Sequence, residues 1–88
     1  MIDPLKSKLN SRLRIIEGQV RGLQNMIAEG KYCIDIITQT SAIKQALAGV
    51  EDILMQSHLD TCAIKQIQKG KANQAIGEIL KVYKLKRK

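Results

Sequence analysis

The sequence predicts an all-α protein: three helices per subunit, paired across a dimer as an antiparallel four-helix bundle. Three observations carry this expectation. Leu9, Leu13, Ile16, Val20, Leu23 and Ile27 recur at alternating spacings of four and three, which a strand's alternation cannot produce. A second seam runs through Ile36, Ile43, Leu47, Val50 and Leu54. The chain of 88 residues is one small domain, 1–88, and its two long narrow-seamed helices bury too little alone.

Each helix has its own start and stop signals. Asp3 before Pro4 suits a helix N-terminus, with proline in the first turn. Gly30 suits the C-cap, so helix one is expected over roughly 4–29. The next breaker is Gly70, so helix two is expected over roughly 32–67, about 50 Å at 1.5 Å per residue. Ala72, Ala75, Ile76, Ile79, Leu80 and Tyr83 give a short third helix before a basic tail, Lys84 to Lys88. That helix cannot cover helix two, so a second copy of the chain must complete the core. Gly18 and Gly22 give up helix propensity and suggest a close helix approach.

Composition narrows the function. The chain holds 15 Lys or Arg against 8 Asp or Glu, a net +7, with one His, two Cys and two Tyr. No apolar run is long enough to span a membrane. Two thiols without a leader point to the cytoplasm and to ligands or sensors rather than a staple. No nucleophile–base pair or phosphate loop appears, so neither an enzyme nor a binder of a small organic substrate is expected. The positive excess favours nucleic acid. It is uneven: residues 1–31 carry +3, 32–60 carry −3 and 61–88 carry +7. Charge runs also serve simply to solvate helix faces.

The second seam continues past Leu54 into His58 and Cys62, each four residues on and therefore on one helix face. Cys33 lies at the start of the same helix. Cys33 and His58 are 25 residues apart, roughly 37 Å along a straight helix, so they cannot meet within one chain. In an antiparallel dimer, Cys33 of one subunit can approach His58 and Cys62 of the other. Two thiolates and one imidazole select soft metals: Cu(I), Zn(II) or an iron–sulfur cluster. Structural zinc wants four ligands, whereas three ligands suit Cu(I). The plain structural alternative is a satisfied core histidine and two cysteines packed as small hydrophobes.

These residues bring a family into view. The block Arg12-Leu13-Arg14-Ile15-Ile16-Glu17-Gly18-Gln19-Val20-Arg21-Gly22, then Tyr32-Cys33-Ile34-Asp35-Ile36, then His58-Leu59-Asp60-Thr61-Cys62, resembles the copper-sensitive operon repressor family of bacterial metal and thiol sensors. The resemblance covers most of the chain. It implies a dimer of dimers, a homotetramer, with Cu(I) held by Cys33, His58 and Cys62 across the subunit interface. It also implies that Tyr32 and Glu78 surround the His ligand and couple occupancy to shape, as a ligating imidazole's other N–H requires. Without such a role, Tyr32 is an amphipathic cap over the seam and Glu78 a solvated helix residue.

Other branches fit less well. Nickel and cobalt sensors use an N-terminal His and replace the last Cys, whereas this chain begins Met1-Ile2-Asp3 and keeps Cys62. Formaldehyde sensors need a free N-terminal proline, but Pro4 is internal. Persulfide sensors keep both cysteines and lose the His, but His58 is present.

The resemblance further implies a repressor that binds double-stranded operator DNA without a helix-turn-helix and leaves it on Cu(I) binding, derepressing copper efflux and homeostasis genes. The expected contact surface is Lys8, Arg12, Arg14, Arg21 and Lys44, with the basic tail assisting. Arg12 is carried over from the family and the rest follow from charge. Relatives place a further arginine where this chain has Gly49. The alternatives are a persulfide- or thiol-responsive repressor on the same scaffold, a copper buffer, or a DNA-coating protein with no operator.

Overall fold

The computed structural model describes residues 3–87, and every regular element among them is helical. Met1 and Ile2, which bear on the missing N-terminal His, and Lys88, which ends the basic tail, lie outside the described residues. Helix α1 spans Asp3–Ala28 and α2 spans Cys33–His58. A π-helical turn, Leu59–Ala63, leads into α3, Ile64–Gln68, and α4 spans Ala72–Arg87. The expected second helix thus corresponds to α2, the π turn and α3 in succession.

Glycine ends both long helical stretches by one device. Gly30 adopts φ +67°, its N–H bonds the Ile27 carbonyl at 3.1 Å and the Lys31 N–H reaches the Met26 carbonyl at 3.0 Å. Gly70 adopts φ +78°, with Gly70 N–H on the Ile67 carbonyl at 3.1 Å and Lys71 N–H on the Gln66 carbonyl at 2.7 Å. Each is a Schellman cap, in which a left-handed residue turns two orphan carbonyls back to donors.

Three local expectations change. The second helical stretch is not uniform, because the π turn interrupts it between His58 and Ile64. The basic tail is helical through Arg87, since Lys, Leu and Arg are good helix formers and cations favour a helix C-terminus. Arg87 also lies 5.7 Å from the Tyr83 ring centroid. The close approach expected at Gly18 and Gly22 is not made within the chain, where nothing lies within 4 Å of a Cβ at either position.

The described residues divide into two compact units between Asp52 and Ile53. In the first, Leu9 and Ile16 of α1 and Ile43 and Val50 of α2 are buried. These pairs are seven residues apart, so the chain uses one heptad stripe of each seam. The interleaved stripe stays open: Leu13 is 42%, Val20 41% and Ile27 62% exposed, and Leu47 is exposed on α2. In the second unit α4 packs on α3, and the buried residues are Ala63 and Ala75. Alanines there let the backbones approach closely.

Candidate functional site

The second unit places three sequence-selected residues in one neighbourhood. His58 is the last residue of α2, and Cys62 lies inside the π turn that follows. Glu78 comes three residues after the fully buried Ala75, on the same face of α4. His58 Nε2 stands 3.5 Å from Glu78 Oε2, with both side chains partly exposed. Nε2 is the ring nitrogen that faces the carboxylate, and Nδ1 is the one that does not.

Two glutamines complete the surroundings of Glu78. Gln66 Nε2 donates to Glu78 Oε1 at 3.3 Å, and Gln74 Nε2 donates to the same oxygen at 3.1 Å. Neither stands out in the sequence. Gln74 precedes Glu78 by four residues, so the i,i+4 rule could have found it. Gln66 lies twelve residues away, across the Gly70 turn, and no local rule connects them. The Gln66 Oε1 atom is buried without a partner, which costs about 1–3 kcal/mol for a buried polar group. The reverse orientation of this amide would point its carbonyl at the carboxylate, so Glu78 fixes which way the amide faces.

Cys62 is an exposed, free thiol. The preceding Thr61 donates its hydroxyl to the Ser57 carbonyl at 2.7 Å, and its Oγ1 stands 3.7 Å from Cys62 Sγ. A threonine bonded to the carbonyl four residues back competes with the helical ladder, and here it sits within the π turn. The wider winding of that turn changes the stagger of Cys62 relative to His58 from the regular α-helical one. Single π turns of this kind recur at functional sites.

Cys33 is the first residue of α2, also an exposed free thiol. Tyr32 is exposed, and its carbonyl accepts the Asp35 and Ile36 N–H groups at 3.0 and 3.2 Å, opening α2. Among the described residues, no group of three or more His, Cys, Asp or Glu lies close enough to hold a metal ion. The chain therefore brings together His58 and Glu78 but does not bring three ligands to one point. The donor set itself suits a soft cation: two accessible thiols and an imidazole.

The candidate DNA residues Lys8, Arg12, Arg14, Arg21 and Lys44 are all exposed. They do not share one face. Successive α-helical residues turn by about 100°, which puts Lys8 and Arg12 on one flank of α1 and Arg14 and Arg21 roughly 150° away. Arg12 borders a groove between α1 and α2 whose lining includes Ile16, Gln19, Gln45 and Gly49. By the same periodicity Lys44 lies on the flank of α2 away from that groove. Arg21 pairs with Glu17 at 3.8 Å, an exposed contact of small worth.

The chain is similar to known proteins along most of its length. The family model for the metal-sensitive transcriptional repressor matches residues 5–84. The chain is 43% identical over 79 residues to the copper-sensing transcriptional repressor CsoR of Bacillus subtilis strain 168, covering 90% of this chain and 78% of that protein. It is 46% identical over 65 residues to the copper-sensing transcriptional repressor RicR of Mycobacterium tuberculosis H37Rv, covering 74% and 68%. Among solved structures, the copper-sensing repressor CsoR with Cu(I) from Geobacillus thermodenitrificans NG80-2 matches with a TM-score of 0.92 at 39% identity, covering 100% of this chain and 92% of that one. No helix among the described residues is long and apolar enough to cross a membrane.

Proposed function

The chain belongs to the metal-sensitive transcriptional repressor family, and from that membership we propose that it is a Cu(I)-responsive repressor, binding operator DNA when metal-free and releasing it when Cu(I) binds. The observation that carries this reading is the His58–Glu78 contact, which turns Nε2 toward a carboxylate one π turn from an exposed thiol. It is a cytoplasmic, non-enzymatic switch over copper efflux and homeostasis genes.

The open stripe of Leu13, Val20 and Ile27 on α1, and of Leu47 and Leu54 on α2, supports assembly with a second copy. Covering such half-exposed side chains contributes roughly 1 kcal/mol apiece. In an antiparallel pair, Cys33 of one subunit comes beside His58 and Cys62 of the other, and two such dimers form the tetramer. Bound Cu(I) supplies a soft centre satisfied by two thiolates and one imidazole. His58 orients toward it through Nδ1, Glu78 holds the opposite ring nitrogen, and Tyr32 flanks Cys33. Glu78 lies on α4, so the ring's position bears directly on that helix.

Arg12 and Lys8 share the flank that meets operator phosphates, and Arg14, Arg21 and Lys44 reach the duplex from other faces of the assembly. Coupling is reciprocal: whatever factor copper removes from DNA affinity, DNA removes from copper affinity.

Titration of the reduced, anaerobic protein with Cu(I), followed by operator-DNA anisotropy, tests this. One Cu(I) per subunit with DNA release is expected. DNA retained at saturation overturns the reading. Release by a sulfide donor instead, with a mass increase on Cys33 or Cys62, would assign the chain to persulfide sensing.

A further inference from the structure

Glu78 is the one acidic residue after Asp60, and the structure gives it more partners than its contact with His58 needs. One oxygen, Oε2, faces His58 Nε2 at 3.5 Å. The other, Oε1, accepts two amide hydrogen bonds, from Gln66 on α3 at 3.3 Å and from Gln74 on α4 at 3.1 Å. The two donors come from different helices, so together they set the carboxylate's rotation as well as its position. Gln66 keeps its N–H toward Glu78 although its own carbonyl oxygen is buried without a partner. The opposite flip would set the amide carbonyl against the carboxylate oxygen and bury the NH2 without an acceptor, so the carboxylate favours this orientation.

We propose that Gln66 and Gln74 form an amide clamp on Glu78 Oε1, making them positioning residues that hold Glu78 Oε2 toward His58 and thereby link metal occupancy at His58 to the α3–α4 pair. The inference rests on the copper-responsive reading given above. Neither glutamine touches the metal. Their effect falls on coupling, because a Glu78 side chain released from the clamp can follow the imidazole without moving α4.

The test uses the full chain carrying Gln66→Met, Gln74→Met, or both, since methionine keeps length and volume and removes the amide. Cu(I) affinity is read by competition with a chromophoric chelator, and operator affinity by anisotropy with and without Cu(I). For the double variant, metal-free operator affinity should stay within about twofold of wild type and Cu(I) affinity within about tenfold. The copper-induced drop in operator affinity should shrink at least tenfold. A double variant with the full wild-type drop overturns the clamp. So does one whose Cu(I) affinity collapses while coupling per bound ion persists.

A second measurement needs neither copper nor a stable variant at the half-buried Gln66. In the metal-free wild-type protein, the side-chain amide protons of Gln66 and Gln74 should be slowed in exchange, and Glu78→Ala should abolish that slowing at both. Amides that exchange at the free rate in wild type overturn the clamp. If wild-type protein keeps its operator at saturating Cu(I), the copper-release reading fails, while the amide signals still decide the clamp.

Discussion

His58 Nε2 lies 3.5 Å from Glu78 Oε2, which ties the last residue of α2 to the middle of α4. The contact spans twenty residues of sequence and bypasses the π turn, α3 and the Gly70 turn between them. It turns one imidazole nitrogen toward a carboxylate on another helix.

Replacing His58 with alanine removes the imidazole and leaves every basic residue of α1 in place. We expect His58→Ala to bind operator DNA within about twofold of wild type and to lose copper-induced release. Anisotropy titrations at fixed ionic strength check both. Copper-driven dissociation of this variant would show that His58 is not a ligand.

Glu78→Ala separates binding from response. With Cys33, His58 and Cys62 as the proposed ligands, this variant keeps all three, so Cu(I) affinity should fall modestly, by about 10–100-fold as for other partners of a metal-bound histidine. Allosteric coupling free energies are typically about 1–3 kcal/mol, or 5–150-fold in affinity. Most of that factor should vanish in Glu78→Ala. Unchanged copper-induced release would remove Glu78 from the coupling route.

Much of this site was legible in the sequence because helical spacing is a local rule. The stripe that His58 and Cys62 extend follows from counting residues, and the helix ends near Gly30 and Gly70 follow from glycine. The split of each seam into a buried and an open half did not follow, because periodicity finds the apolar face but not which neighbour covers it. The π turn was equally invisible, since Leu59–Ala63 contains ordinary helix-compatible residues. Gln66 was missed for a related reason: its meeting with Glu78 depends on how α4 folds back on α3.

The open stripe makes a separate expectation. Val20 is 41% exposed in the chain and flanked one turn either side by buried Ile16 and half-buried Leu23. Val20→Glu places a charge on a surface that assembly would bury, where an unpaired charge costs several kcal/mol. Sedimentation equilibrium should show loss of the oligomer at micromolar concentration. A variant that still assembles as wild type would place the subunit interface elsewhere.

Gly70 sets the direction in which α4 leaves α3. Its φ of +78° is left-handed, and nothing within 4 Å would meet an added Cβ, so the cost of a side chain is purely conformational. Gly70→Ala should lower stability by about 1–2 kcal/mol. Gly70→Asn should cost less, because asparagine tolerates that region. Urea denaturation at fixed protein concentration ranks the two, and equal losses would mean that something other than φ is responsible.

Arg12 and Arg21 offer the sharpest contrast on the DNA side. Both are exposed arginines on α1, but they occupy different flanks, and Arg21 already has Glu17 at 3.8 Å. Removing one side chain that neutralises a phosphate reduces the slope of log affinity against log salt by about 0.9. Arg12→Ala should therefore weaken operator binding and lower that slope by about one unit. Arg21→Ala should change the slope by less, because its partner Glu17 offsets part of the charge it offers the duplex. Operator titrations at several salt concentrations measure both slopes. If Arg12→Ala leaves the slope unchanged while Arg21→Ala lowers it, the DNA surface lies on the opposite flank of α1 from the groove that Arg12 borders.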